Sequence, residues 1–289
     1  MFMKRRAFFK TSLAGSALLS AFPYELLAGE KKLYPYDRVM LGNTGIEASR
    51  VAMGTGTSGY GGSSNQTRKL GIKGLSDMLI AAFEDGINFW ETADQYGSHP
   101  HVGSALKRVK REAVVILTKT NSTGYKRVKS DLDRFRKELG TDYIDLVLLH
   151  AITDGNWNRN MKGAMEALSE AREEGIIRAH GISCHSLAAL ETAADEPWVD
   201  LDLARFNPGG AVMDADVDAV QKVLERMKKN GTSVLGMKVY GAGRLVHEKD
   251  KCLQFQLGTG ITDAFTMGFE SIEHLRDLQK RLPEASVRG

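Results

Sequence analysis

Short apolar runs alternate with segments of helical period along most of the chain, and glycines or polar turns punctuate the change from one to the other. The apolar runs are Arg50 to Thr55, Ile87 to Ala93, Ala113 to Thr120, Ile144 to His150, Arg178 to Cys184, Leu201 to Asn207, Ser233 to Tyr240 and Ala264 to Phe269. Between them the 3.6-residue period predicts helices near Leu75 to Glu84, His101 to Lys110, Tyr125 to Leu139, Met161 to Glu174, Ser186 to Ala194, Val217 to Lys229, Lys251 to Leu257 and Ser271 to Leu282. Strands that are apolar without alternation are buried on both faces, as in a parallel sheet. Eight such strands, each followed by a helix, predict an α/β chain folded as a (β/α)8 TIM barrel. The active site of that fold lies at the C-terminal edge of the strands. Several runs end there in polar groups: Glu91 in the second with Tyr96 just after it, Lys119 in the third, His150 in the fourth. The fold would bring these four to one mouth.

Gly86, Gly140, Gly175 and Gly231 fall where helices must stop before the next strand. Residues 29–47, with Gly42 and Gly45 at turns, predict a hairpin across the barrel floor. Residues 56–74 read as an extended loop. The letters Gly54-Thr55-Gly56-Thr57-Ser58-Gly59 match G-x-G-x-x-G but run on into Gly61 and Gly62, with no compact βαβ unit around them, so the match to a dinucleotide fingerprint is weak. No linker or low-complexity stretch divides the chain. The expectation is one barrel domain over residues 29–289.

The N-terminus differs in kind. Lys4, Arg5, Arg6 and Lys10 precede the apolar run Ser12 to Phe22, which is short for a membrane span and fits a signal peptide over residues 1–28. The order Lys4-Arg5-Arg6-Ala7-Phe8-Phe9-Lys10 is similar to a twin-arginine signal. The sequence therefore predicts export to the periplasm by the twin-arginine machinery, with an uncleaved anchor as the variant, because neither Leu19-Ser20-Ala21 nor Leu26-Leu27-Ala28 is a clean small-x-small site. Four basic residues against Glu25 give Met1 to Ala28 the same net +3 as the whole chain, so the remainder is neutral. A neutral barrel argues against a nucleic-acid partner, and nothing beyond the signal suggests a membrane. Cys184 and Cys252 are too few for a disulfide framework and are read as free thiols.

The chain resembles the aldo-keto reductase superfamily. The likeness is carried, in family order, by Leu41 to Gly45 with Met53 to Gly56, Asn88 to Gly97, Leu117 to Lys119, Asp145 to His150 and Gly175 to Ser183. The resemblance implies a barrel that moves hydride between NADP or NAD and a small carbonyl substrate. It makes Tyr96 the proton donor, Lys119 its charged partner, Glu91 the carboxylate that orients the lysine and His150 the imidazole that holds the substrate oxygen. A tyrosine near pKa ~10 serves best as donor if that value is lowered, which an adjacent ammonium would do.

Glu91 stands where the family usually has Asp, one methylene shorter. After Ser183 the family often has an asparagine for the nicotinamide amide, whereas Cys184 and His185 follow here, and Leu203 replaces a frequent glutamine. Ser183, Cys184 and Asn207 are accordingly the candidates near that amide. Met237 is placed to cover a ring face, Lys238 to meet a phosphate, and the turn from Gly241 to Gly243 to let backbone approach a pyrophosphate. Ser271 is predicted to cap the last helix, whose N-terminus suits a phosphate. Glu270 would repel a 2′-phosphate and Arg276 would compensate, so NAD and NADP both stay in play. His99 and His101, read as a loop pair, form a polar rim rather than a metal site. Two other readings compete: a barrel that binds a nicotinamide nucleotide or another ligand without turnover, and a non-redox exported enzyme acting on sugars, whose paired carboxylates would be Glu91 and Asp94.

Overall fold

The computed structural model describes residues 32–287. The basic stretch from Lys4 to Lys10 and the apolar run behind it, read above as an export signal, lie outside the described residues.

The first described element is a hairpin, β1 (Arg38–Met40) paired antiparallel with β2 (Glu47–Ser49). Its turn points Leu41 and Ile46 upward, both fully buried, and with Ala48 they join the apolar cluster inside the barrel. Thr44 fixes the turn by donating its hydroxyl to the Leu41 carbonyl at 2.7 Å and accepting the Ile46 N–H at 3.1 Å. Gly42 has φ +52, and a Cβ there would sit 2.7 Å from the Ser233 nitrogen, so only glycine lets the hairpin seat against the barrel floor.

Above it, β3 (Val51–Gly54), β4 (Phe89–Glu91), β5 (Val115–Thr120), β6 (Ile144–Ile152), β7 (Ile177–Cys184), β8 (Leu201–Arg205), β9 (Ser233–Met237) and β10 (Ala264–Gly268) pair in parallel and close, with β10 against β3. This is the eight-stranded barrel expected. Side chains alternate across its wall. Phe89, Leu117, Leu146, Leu148, Ala179, Leu203 and Leu235 fill the interior, while Trp90, Ile116, Val147, Ile182, Ala204 and Val234 pack outward against helices. Carried one step up each strand, the same alternation aims Glu91, Lys119, His150, Ser183, Arg205, Met237 and Thr266 at the mouth.

The helices are α1 (Asn65–Glu84), α2 (His99–Leu106), α3 (Tyr125–Leu139), α4 (Trp157–Asn160), α5 (Lys162–Glu173), α6 (Leu187–Asp195), α7 (Val217–Lys229), α8 (Lys249–Gly258) and α9 (Ile272–Ala285). Helix α3 shows the rule: Val128, Leu132, Phe135 and Leu139 form its buried stripe, and Gly140 at φ +69 ends it. None of the described helices is long and apolar enough to cross a membrane.

Four boundaries differ from the sequence reading. The stretch 56–74 is not all loop: α1 starts at Asn65 behind a reciprocal Ser64–Thr67 capping box and bends at Gly71, whose φ of +61 breaks the apolar period. His99 and His101 lie on α2, with Pro100 in its first turn, where a missing N–H costs nothing. The helix predicted from Met161 to Glu174 is present as α5, but the separate turn α4 before it, joined at non-helical Met161, was not expected. Strand β9 ends at Met237 rather than Tyr240, because Lys238 turns the chain with φ +56.

Candidate active site

Strand β4 ends at Glu91, and the chain then folds through a short 3-10 turn, Asp94–Tyr96, closed by Gly97 at φ +63. Two bonds pin the turn to α3, with the Arg134 guanidinium donating to both Asp94 oxygens at 2.7 and 2.9 Å. The turn lays the Tyr96 ring across the mouth. Gly56 and Gly59 pack on the ring so closely that a Cβ would come within 2.2 Å and 2.3 Å of its carbons. Two of the three glycines of the weak fingerprint, Gly56 and Gly59, therefore make room for the tyrosine ring.

Beneath the ring, Lys119 is fully buried and its three protons are all directed. The ammonium donates to the Glu91 carboxylate, to the Thr92 carbonyl at 2.8 Å and to the Tyr96 hydroxyl at 3.4 Å, and lies 4.7 Å from the ring centre. The extra methylene of Glu91 does not separate the pair. Its far oxygen accepts from Thr266 at 3.2 Å and rests over Gly54, where a Cβ would be only 3.1 Å away. An unpaired charge at this depth would be costly, so each of these partners is needed.

Burial sets the electrostatics. It pulls the Lys119 ammonium below its ordinary value, an effect that Glu91 opposes and the nearby Lys238 charge reinforces. Tyr96 is partly buried at the mouth, and desolvation followed by the Glu91 charge raises its hydroxyl well above the ordinary tyrosine value. This corrects the expectation of a lowered tyrosine: the phenol is a fully protonated donor. His150 stands edge-on to Tyr96, with ring centres 5.6 Å apart, and its Nε2 is 3.3 Å from the Gln95 amide nitrogen. Desolvation, then the charges of Lys119, His185 and Lys238, lower it to about 2. Its imidazole is neutral throughout the physiological range, and Nδ1 is buried without a partner. Gln95 was not legible as a site residue; its position one residue before Tyr96 was the available signal.

A cleft of roughly 530 Å³ runs from Tyr96, Glu91 and Met237 outward past Lys238, Gly243 and Gly268 to Asn65, Glu270, His274 and Asp277 beside α9. The other candidates sort by their distance from it. Ser183 is buried, on the inward side by alternation, with an unpartnered hydroxyl. Cys184, next along the strand, points the opposite way into the layer between barrel and helices and bonds with Asp202. It does not face the mouth. Leu203 is interior packing, and His185 stands half-buried at the rim, lowered to about 4 by burial and then by Arg205, Lys238 and Lys119. Asn207 spends its amide on Ala211, by Nδ2 to the carbonyl and Oδ1 from the N–H, and on the Lys238 carbonyl at 3.2 Å. It holds the turn that aims Lys238 rather than lining the cleft. Gly241 is buried behind the cleft at φ +56. Ser271 takes the N-cap position of α9 without a capping bond. Arg276 does not reach the cleft: it pairs with Asp85 and donates to Gln279 at 2.8 Å.

Two further groups are structural. Asp145 accepts from Arg111 and Arg178, each at 2.7 Å, and from the Ile116 N–H at 2.9 Å. His99 uses both ring nitrogens, on Glu138 at 2.8 Å and Thr118 at 2.7 Å. Among the described residues no three His, Cys, Asp or Glu side chains cluster as metal ligands, and neither thiol is in a disulfide.

Comparison with known proteins bears on what this cleft does. The aldo/keto reductase family profile matches residues 52–284. Aldo-keto reductase YhdN of Bacillus subtilis is 32% identical over 172 residues, covering 53% of this chain and 48% of that protein. The NADH-specific methylglyoxal reductase of Escherichia coli is 32% identical over 167 residues, 50% of this chain and 51% of that one. The chain thus spans about half the length of these curated relatives. Among solved structures, the holo form of aldo-keto reductase AKR11C1 from Bacillus halodurans superposes with a TM-score of 0.70 at 18% identity, covering 88% of this chain and 92% of that one.

Proposed function

The chain belongs to the aldo/keto reductase family, and we propose that it transfers hydride between NADH or NADPH and a small aldehyde, ketone or sugar carbonyl. The observation that carries this reading is the buried Lys119 ammonium shared between Glu91 and the Tyr96 hydroxyl at the inner end of the cleft. A nicotinamide nucleotide would supply the hydride. The residues that line the cleft fit such a group: Met237 offers an apolar face, and Lys238 with Gly243 a cationic, unobstructed wall.

The side chains then divide the work. Reduction turns a carbonyl oxygen into an alkoxide, which needs a donor poised before charge develops. The Tyr96 hydroxyl carries that proton. Lys119 stabilises the phenolate left behind, and Glu91 keeps the ammonium charged and fixed against the desolvation that would neutralise it. Neutral His150, edge-on beside Tyr96, is assigned to orient the substrate oxygen without competing for the proton, on the strength of the family resemblance and its place next to the phenol. The sugar-hydrolase alternative is disfavoured, because Glu91 is committed to Lys119 and Asp94 to Arg134. We also propose export by the twin-arginine route, on the strength of Lys4 to Lys10. The reading is tested by following reduced-nicotinamide absorbance with small aldehydes and sugars. Substrate-dependent loss of absorbance is expected, and nucleotide binding without turnover on any carbonyl would favour a non-catalytic binder.

A further inference from the structure

The outer end of the cleft has a charge arrangement that the hydride chemistry does not use. Glu270, just past Phe269 in the loop after β10, lines it and keeps about one fifth of its side chain exposed. One carboxylate oxygen accepts from the Asn65 amide at 2.7 Å and the other pairs with Lys69. Both partners belong to the first turns of α1, before the bend at Gly71. Those two hydrogen bonds, the lysine's first, hold the carboxyl below its ordinary range, so it is ionised. The other cation on this wall, Lys249, is bonded to Asp277 at 2.7 Å. His274 lies close enough to act on the Glu270 charge. Arg276, the base placed to offset Glu270, is turned away onto Asp85.

We propose that Glu270 makes this cleft selective for NAD(H) over NADP(H), a conclusion that rests on the reading of the cleft as a nicotinamide-nucleotide site. With the hydride-donating ring at the Tyr96 end, the adenosine half occupies the end beside α9. An ionised carboxylate accepts hydrogen bonds from the two hydroxyls of an unmodified ribose. A 2′-phosphate brings close to two negative charges and no proton to donate, and it meets the same carboxylate. Lys69 does not reverse this. Its side chain is 59% exposed, and an exposed ion pair is screened by solvent. Were the lysine to leave Glu270 for the phosphate, a bare carboxylate would remain beside the new anion. Discrimination comes from the repulsive element as much as from the attractive one.

The test is calorimetric titration of the purified protein with NADH and with NADPH, in the parent and in Glu270→Gln, Glu270→Arg and Lys69→Met. The parent should bind NADH at least ~10-fold more tightly, as a like-charge contact demands. Glu270→Gln should bring the two affinities together and Glu270→Arg should turn the preference to NADPH. Lys69→Met keeps the carboxylate and removes its screen, so it should widen the ratio even if the Glu270 variants fold poorly. Equal or reversed affinities in the parent, or an unchanged ratio in folded Glu270→Gln, would overturn the assignment and leave the reductase reading standing. Binding of neither nucleotide would overturn both.

Discussion

Glu91, Lys119 and Tyr96 share one difficulty: each is safe at its depth only because the others are there. The longer acid at position 91 is accommodated by two neighbours, Thr266 and the bare Cα of Gly54, that a reading of position 91 alone does not reveal. The orientation of Cys184 was legible and was missed. Inside and outside alternate along β7, so a thiol next to an inward Ser183 must face the helices. There it meets Asp202, whose carboxyl burial raises from 3.8 to about 7, with one oxygen unpartnered. The raised value has a signed consequence. Between 3.8 and 7 the folded protein binds a proton at Asp202 that the unfolded chain has lost, so this group's contribution to stability declines as pH rises through that window. Asp202→Asn removes the titration. Its melting temperature relative to the parent should climb between pH 5 and pH 8, and a pH-independent difference would show that the carboxyl is charged in the fold.

At the scale of elements, strands were the most legible part, because a run buried on both faces needs nothing beyond its own composition. Boundaries set by long-range contacts were not. The early start of α1 depends on a Ser–Thr capping box followed by a glycine bend, and its value appears only when Asn65 and Lys69 meet Glu270 from the far end of the chain. Asn207 and Arg276 were misplaced for a similar reason, since their partners, Ala211 with Lys238 and Asp85 with Gln279, are fixed by tertiary geometry. The loop from Gly54 to Gly62 gives the sharpest element-level expectation. Gly59→Ala places a methyl 2.3 Å from a Tyr96 ring carbon. Overpacking of this kind costs about 1–3 kcal/mol where the site cannot relax, and here relaxation moves the proton donor. Turnover should fall by ~10-fold or more, as expected of a displaced donor, with nucleotide affinity little changed. Parent-like turnover would show that the ring is not held by this loop.

For the whole molecule, the eightfold alternation and the hairpin that plugs the floor specify a barrel closed below and open above, with its polar residues gathered at the open edge. That much follows from periodicity. The cleft leading from Tyr96 to α9 does not, because it is bounded by loops after β3, β9 and β10 that only the closed barrel brings together. The proposed export by the twin-arginine route is tested separately from the barrel. Arg5→Lys combined with Arg6→Lys should leave the protein in the cytoplasm, as seen by fractionation of expressing cells, and undiminished export would point to another route. The account as a whole turns on the phenol. Tyr96→Phe deletes one oxygen from the Lys119 cluster and leaves the rest of the cleft intact. It should cut kcat/KM for carbonyl reduction by ~10²-fold or more, the worth of a positioned proton donor, while the nucleotide dissociation constant stays within about threefold. Turnover near that of the parent protein would contradict the assignment of the proton to Tyr96.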